Sequence, residues 1–102
     1  MVHVIATVEL APGTREKFLS EFRKIIPEVR AEAGCIEYGP AVDAKTDIPI
    51  QFKLGADKVV VIEKWESVAA LKAHGVAPHM QVYRAKVKDY VRAMELRVLT
   101  PA

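Results

Sequence analysis

Residues 58–66, Lys58-Val59-Val60-Val61-Ile62-Glu63-Lys64-Trp65-Glu66, decide the fold. Four successive β-branched side chains favour extended backbone and place apolar groups on both faces, as in a strand with neighbours on either side. Alternation then sets Glu63 and Trp65 on the face of Val61. An ionisable group on that face is costly unless it is paired or borders a cavity. Two readings of the pair stay open: Trp65 as a core residue with Glu63 a paired structural carboxylate, or both as parts of a site.

Upstream, residues 45–57 read as a loop broken by Pro49 and Gly55, yet the loop carries Ile50, Phe52 and Leu54. A long loop with apolar side chains is a candidate cover for a site. Residues 36–44 form a weaker strand with Tyr38 and Val42 on one side, and Gly34 before it reads as a left-handed helix terminator. Phe18, Phe22, Ile25, Ile26 and Val29 recur at helical spacing, while Arg15, Lys17, Glu21, Lys24 and Glu28 fall outside that stripe. Thr14 is placed to cap this helix, and Pro27 inside it predicts a bend. Val2, Val4, Ala6, Val8 and Leu10 form one apolar face of a first strand, closed by a Pro12-Gly13 turn.

Downstream, Ser67 caps a short helix through Leu71 and His74. Gly75 and Pro78 break it, and Pro78 opens a second helix whose buried side is read as Val82, Tyr83, Lys86, Val87, Tyr90 and Val91. Residues 94–99 form the last strand. The order is β-α-β-β-α-β with the second helix split, an α+β ferredoxin-like arrangement of one four-stranded antiparallel sheet with helices on one face. With 102 residues there is room for one domain, spanning 1–102.

Apolar residues make up 51% of the chain, a high share for so small a unit. The sheet face without helices predicts burial against a second copy, and hence a homodimer in which two closing subunits trap a dry chamber beside Trp65. No apolar run approaches the roughly 20 residues that span a bilayer, so no membrane partner is expected. The start lacks the basic segment of a signal peptide, and the one cysteine, Cys35, cannot form an internal disulfide. Both point to a reducing cytoplasm. The net charge of +2 is spread along the helices without a basic stripe or stacking aromatics, which argues against nucleic acid.

No Gly-rich phosphate loop, HExxH pair or Gly-x-Ser-x-Gly elbow occurs. Chemistry would fall to ordinary acid–base groups. His74 ends one helix and His79 begins the next, so the intervening turn can bring both imidazoles to one rim, where either would serve as general base. Helix capping and solvent exposure is the competing reading. A metal pair is disfavoured because no third ligand stands at ligand spacing. Tyr38, Tyr83 and Tyr90 read first as core residues with a hydrogen-bonded rim, and Cys35 and Met80 as packing.

Val61-Ile62-Glu63-x-Trp65-Glu66-Ser67, then Leu71-x-Ala73-His74, then Pro78-His79-Met80 resembles the antibiotic biosynthesis monooxygenase family, and within it the bacterial quinol monooxygenase branch. Pro12-Gly13, Lys24-Ile25-Ile26-Pro27, Glu32-Ala33-Gly34-Cys35 and Leu96-Arg97-Val98-Leu99-Thr100-Pro101 extend the likeness over nearly the whole chain. The resemblance implies a dimeric α+β barrel and an oxidoreductase that oxygenates a quinol or related polycyclic phenol with molecular oxygen and no cofactor. It implies catalytic roles for His74, His79 and Glu63, and substrate-binding roles for Trp65, Tyr38, Tyr83 and Phe52. A haem-degrading branch carries an Asn, a Trp and a His where this chain has Thr7, His74 and Arg84. A polyketide-tailoring branch carries an Asn and a Tyr where Val61 and Leu71 stand. Two alternatives remain: an isomerase acting on a small phosphorylated or oxygenated metabolite, and a non-catalytic quinone-binding dimer.

Overall fold

The computed structural model describes all 102 residues. Strict alternation builds β1 (Val2–Leu10), whose even-numbered residues are all buried. The chain turns at Pro12-Gly13 into α1 (Arg15–Arg30), which buries Phe18, Leu19, Phe22, Ile25 and Val29. Next come β2 (Cys35–Ala41), the central β3 (Lys58–Trp65), α2 (Val68–Gly75), α3 (Pro78–Val87) and β4 (Val91–Leu99). The sheet order is β2-β3-β1-β4, with every neighbouring pair antiparallel. This is the expected ferredoxin-like topology, and β3 is internal as its two-sided apolar run requires.

Register decides which side chains face the helices. Val2, Val4, Ala6 and Val8 of β1 stand opposite Trp65, Glu63, Val61 and Val59 of β3, and Val4, Ala6 and Val8 also pair with Val98, Leu96 and Met94 of β4. The β1 and β3 members of this face are buried under the helices. Met94, Leu96 and Val98 share the same face but stay exposed, because the helix layer stops short of β4. The opposite face, without helices, is mixed rather than wholly apolar. Ile5, Val60 and Ile62 lie at its centre, with His3, Thr7 and an ion pair between Lys64 and Glu37 (3.1 Å) around them.

Local details depart from expectation at the ends of elements. Thr14 precedes α1 without capping it, because its hydroxyl donates back to the Ala11 carbonyl at 2.7 Å. Ser67 does cap α2, accepting from the Ala70 N–H at 3.1 Å. Pro27 lies on the exposed side of α1, and the helix continues past it to Arg30. β2 ends three residues early, leaving Val42 exposed, and β4 begins three residues early, because pairing with β1 recruits Val91 and Ala93. α3 correspondingly ends at Val87, and its buried side is Met80, Tyr83 and Val87, while Val82 and Lys86 face outward. No helix is long and apolar enough to cross a membrane.

Gly34 joins α1 to β2 with φ +83°, and its carbonyl accepts the Glu66 N–H at 2.8 Å. A Cβ there would lie 2.6 Å from Ala70 Cβ, whereas one at Gly13 (φ +77°) would meet nothing. Left-handed strain and overpacking therefore combine at Gly34 alone. Gly34→Ala is expected to destabilise by about 2–4 kcal/mol and Gly13→Ala by about 1–2 kcal/mol, as read by urea unfolding. Equal losses at the two positions would contradict the close packing of Gly34 on α2.

Candidate active site

Because the helices leave β4 bare, a cavity of about 840 Å³ opens between the helix layer and the sheet. Phe18 and Phe22 of α1, Tyr38 of β2 and Met80 and Tyr83 of α3 form its apolar walls. Phe22 stacks on Tyr38 at 5.3 Å and meets Tyr83 edge-on at 6.0 Å, so the walls are a rigid aromatic set. Val61 and Glu63 of β3 also line the cavity, and Met94, Leu96 and Val98 border its open side. Lys72, Arg84 and Lys88 contribute the cationic residues of the lining.

Two ionisable groups are buried against this apolar space. Glu63 takes its position from β3 alternation, and its Oε1 accepts the Trp65 indole N–H at 2.9 Å. Burial pushes the Glu63 carboxyl above the usual carboxylate range; the Trp65 bond and the neighbouring His74 pull it back, and the charge of Glu32 adds to the rise. His74 sits in the last turn of α2, its ring 4.7 Å from Trp65 and edge-on to Tyr38 at 5.4 Å. Burial also pushes the Tyr38 and Tyr83 hydroxyls well above the usual phenol range.

Glu32 is the residue that organises the histidines. Its Oε2 lies 2.9 Å from His74 Nδ1 and 2.8 Å from His79 Nε2. An ionised carboxylate only accepts, so with Glu32 in that form each of these ring nitrogens would be the donor. This leaves His74 Nε2, which has no partner within the chain, available to an occupant of the cavity. His79 turns its other nitrogen, Nδ1, toward the exposed Glu28 carboxylate at 3.7 Å.

The residues singled out in the sequence separate accordingly. His74, Glu63, Tyr38 and Tyr83 line the cavity. Trp65 does not: its exposure is 0%, and it is packed against the His74 ring, where it carries the bond to Glu63. His79 shares Glu32 with His74 but lies outside the cavity, in a groove between α1 and α3. Phe52 is 98% exposed and takes no part in the cavity lining. Nor does any other residue from 45 to 57, so the expected cover lies elsewhere. That loop is pinned by Asp43, which accepts the Leu54 and Gly55 N–H groups at 2.9 Å each; these bonds hold the Asp43 carboxyl below its usual range.

The cavity forms inside one chain, on the helix side of the sheet. Glu32 went unassigned on spacing alone. A cue was present: a carboxylate just past a helix C-terminus faces the negative end of the helix dipole and needs a cationic or donating partner.

A ferredoxin-like sheet whose helix side holds an apolar cavity with one buried imidazole and one buried carboxylate marks a small α+β protein with a candidate site for acid–base chemistry. The chain belongs to the antibiotic biosynthesis monooxygenase family, whose model matches residues 1–86. It is 42% identical, over 103 aligned positions, to an Escherichia coli K12 protein named "Probable quinol monooxygenase YgiN", with 99% of this chain and 98% of that one covered. Among solved structures it resembles Rv0793 of Mycobacterium tuberculosis (TM-score 0.79, 29% identity, 99% and 94% of the two chains) and PA3566 of Pseudomonas aeruginosa (TM-score 0.80, 26% identity, 99% and 93%).

The raised Glu63 carboxyl has a consequence for stability. The folded chain holds that proton more tightly than the unfolded chain, so ionisation above the ordinary carboxyl value of 4.5 costs folding free energy as pH rises. Glu63→Gln keeps an acceptor for Trp65 and removes that cost. Its stability relative to the parent is therefore expected to increase between pH 5 and pH 8, measured as paired melting temperatures. A difference that stays constant or shrinks with rising pH would mean that Glu63 is not destabilised by its burial.

Proposed function

We propose that the protein oxidises a quinol or related polycyclic phenol with molecular oxygen, without a bound cofactor. The observation that carries this reading is the pairing of a cavity of about 840 Å³ with a buried imidazole that has a free Nε2. That volume suits a bicyclic or tricyclic aromatic, since small-molecule pockets span roughly 300–1,000 Å³. A quinol slotted between the aromatic walls would give its phenolic proton to His74 Nε2. The phenolate is electron-rich enough to reduce oxygen directly, so the substrate supplies the redox chemistry that a flavin would otherwise bring. In the oxygenating outcome, menadiol and O2 yield a hydroxyquinone and one water: one oxygen atom joins the ring, and the other leaves with the two phenolic protons. Lys72, Arg84 and Lys88 favour the anionic form by their charge. The name of the Escherichia coli relative supports the quinol assignment.

The substrate test is menadiol-dependent oxygen uptake, corrected for spontaneous oxidation. The parent protein is expected to exceed the spontaneous rate, and His74→Ala to lose about 100-fold or more of the excess. His79→Ala, one step removed from the cavity, should lose less. Absence of any excess in the parent would overturn the proposal and favour a quinone-binding role without turnover. A phosphorylated substrate has less support: the two buried ionisable groups near the cavity are a carboxylate and an imidazole, and no Gly-rich loop stands beside them.

The reading extends to assembly and compartment. We propose a homodimer joined through the uncovered sheet face, where Ile5, Val60 and Ile62 form an apolar centre bordered by the Lys64–Glu37 ion pair. The half-buried Cys35 thiol, with no disulfide partner, suits a reducing cytoplasm. Light scattering at micromolar concentration should return twice the 11.3 kDa chain mass. A mass of one chain would remove the dimer while leaving the cavity chemistry intact.

A further inference from the structure

We infer that Glu32 is the positioning residue of the acid–base pair: it holds His74 with Nε2 facing the cavity and balances the imidazolium that forms when His74 takes a proton. This rests on the proposed quinol chemistry for its purpose, and on geometry alone for its existence. His74 could adopt either neutral tautomer, and only the one protonated at Nδ1 leaves Nε2 free as a base. The Glu32 carboxylate at 2.9 Å selects that tautomer, because it can accept from Nδ1–H and would repel a lone pair. Trp65 and Tyr38 then fix the ring plane from two sides. The side chain is neither fully solvated nor left without partners: it is 15% exposed and shares Oε2 between two imidazoles.

The proton bookkeeping closes on this arrangement. The phenolic O–H bond breaks, its electron pair stays on oxygen, and a new N–H bond forms at His74 Nε2. The resulting imidazolium bears a positive charge in a place where an unpaired charge would be costly, and the Glu32 carboxylate neutralises it without moving. When the second oxygen atom departs, His74 returns the proton to it as water forms. Glu32 itself need never be protonated.

His79 acts through Glu32 and not on the substrate. It donates Nε2–H to the same oxygen at 2.8 Å, while its Nδ1 faces Glu28 at the surface. Two donors on one oxygen, arriving from α2 and from α3, hold the carboxylate in place beyond the end of α1. This explains why the two histidines flank the Gly75–Pro78 break. The break lets one helix present an imidazole to the cavity and the next brace the group behind it.

A purely structural staple would use the same three side chains, so the test must separate charge and tautomer from packing. Long-range 1H–15N spectra of the 15N-labelled parent protein at pH 8 report the ring tautomers directly. His74 is expected as the Nδ1–H form, the minor form of free imidazole, and finding it as Nε2–H overturns the inference. Glu32→Gln keeps an acceptor oxygen and therefore the fold, but removes the charge. Its kcat for menadiol is expected to fall about 100-fold, with KM changed less than about threefold. A Glu32→Gln protein with parental kcat also overturns the inference. If the parent protein shows no menadiol oxidation at all, the quinol reading fails, and the tautomer of His74 alone decides whether Glu32 positions it.

Discussion

Everything in this molecule follows from a mismatch of areas. Four strands present a continuous apolar face, and three helices of 16, 8 and 10 residues do not cover all of it. The helices bury the β1 and β3 residues of that face completely and leave the β4 residues Met94, Leu96 and Val98 bare. Close packing elsewhere in the core prevents the helices from sliding across to fill the gap. The aromatic cluster of Phe18, Phe22, Tyr38 and Tyr83 locks them where they are. The cavity is thus a consequence of element lengths, and its apolar character comes from side chains that would otherwise be core.

Within that apolar setting, the polar groups are those that tertiary partners can satisfy. Glu63 is held by the Trp65 indole and His74 by Glu32; no side-chain nitrogen or oxygen sealed from the surface lacks a hydrogen bond, and the unpartnered His74 Nε2 is not among the sealed atoms. A buried polar group lacking its partner would cost on the order of 1–3 kcal/mol, more if charged. The same constraint gives the site its chemistry. Desolvation shifts Glu63 toward the neutral form, and the contact at Nδ1 leaves His74 with one ring nitrogen unpartnered.

The architecture was readable because periodicity is a local signal. Alternation over residues 2–10, the β-branched run at 59–62 and the helical stripe from Phe18 to Val29 each imply one element with one buried face. Boundaries were less readable, since pairing and backbone competition settle them. β4 gained Val91 to Ala93 through its ladder with β1, and Thr14 bonded to Ala11 in place of the first helical turn. Glu63 was legible as a candidate because an ionisable group stood where the alternation called for an apolar one, and His74 because it and His79 flank the Gly75–Pro78 break. Phe52 was misplaced for the opposite reason: an apolar side chain in a loop carries no information about which way the loop folds.

By itself, the chain's order of residues determined the order of elements, the internal position of β3 and the presence of ionisable groups on the apolar face. These depend on spacing along the backbone, which is the same before and after folding. Only the tertiary structure decided that Trp65 lies behind the cavity wall, that His79 lies outside it, and that Glu32, over 40 positions from either histidine, meets both at one oxygen. Those outcomes depend on which surfaces of separate elements meet. That choice is made by the packing of the whole core, and no local stretch encodes it.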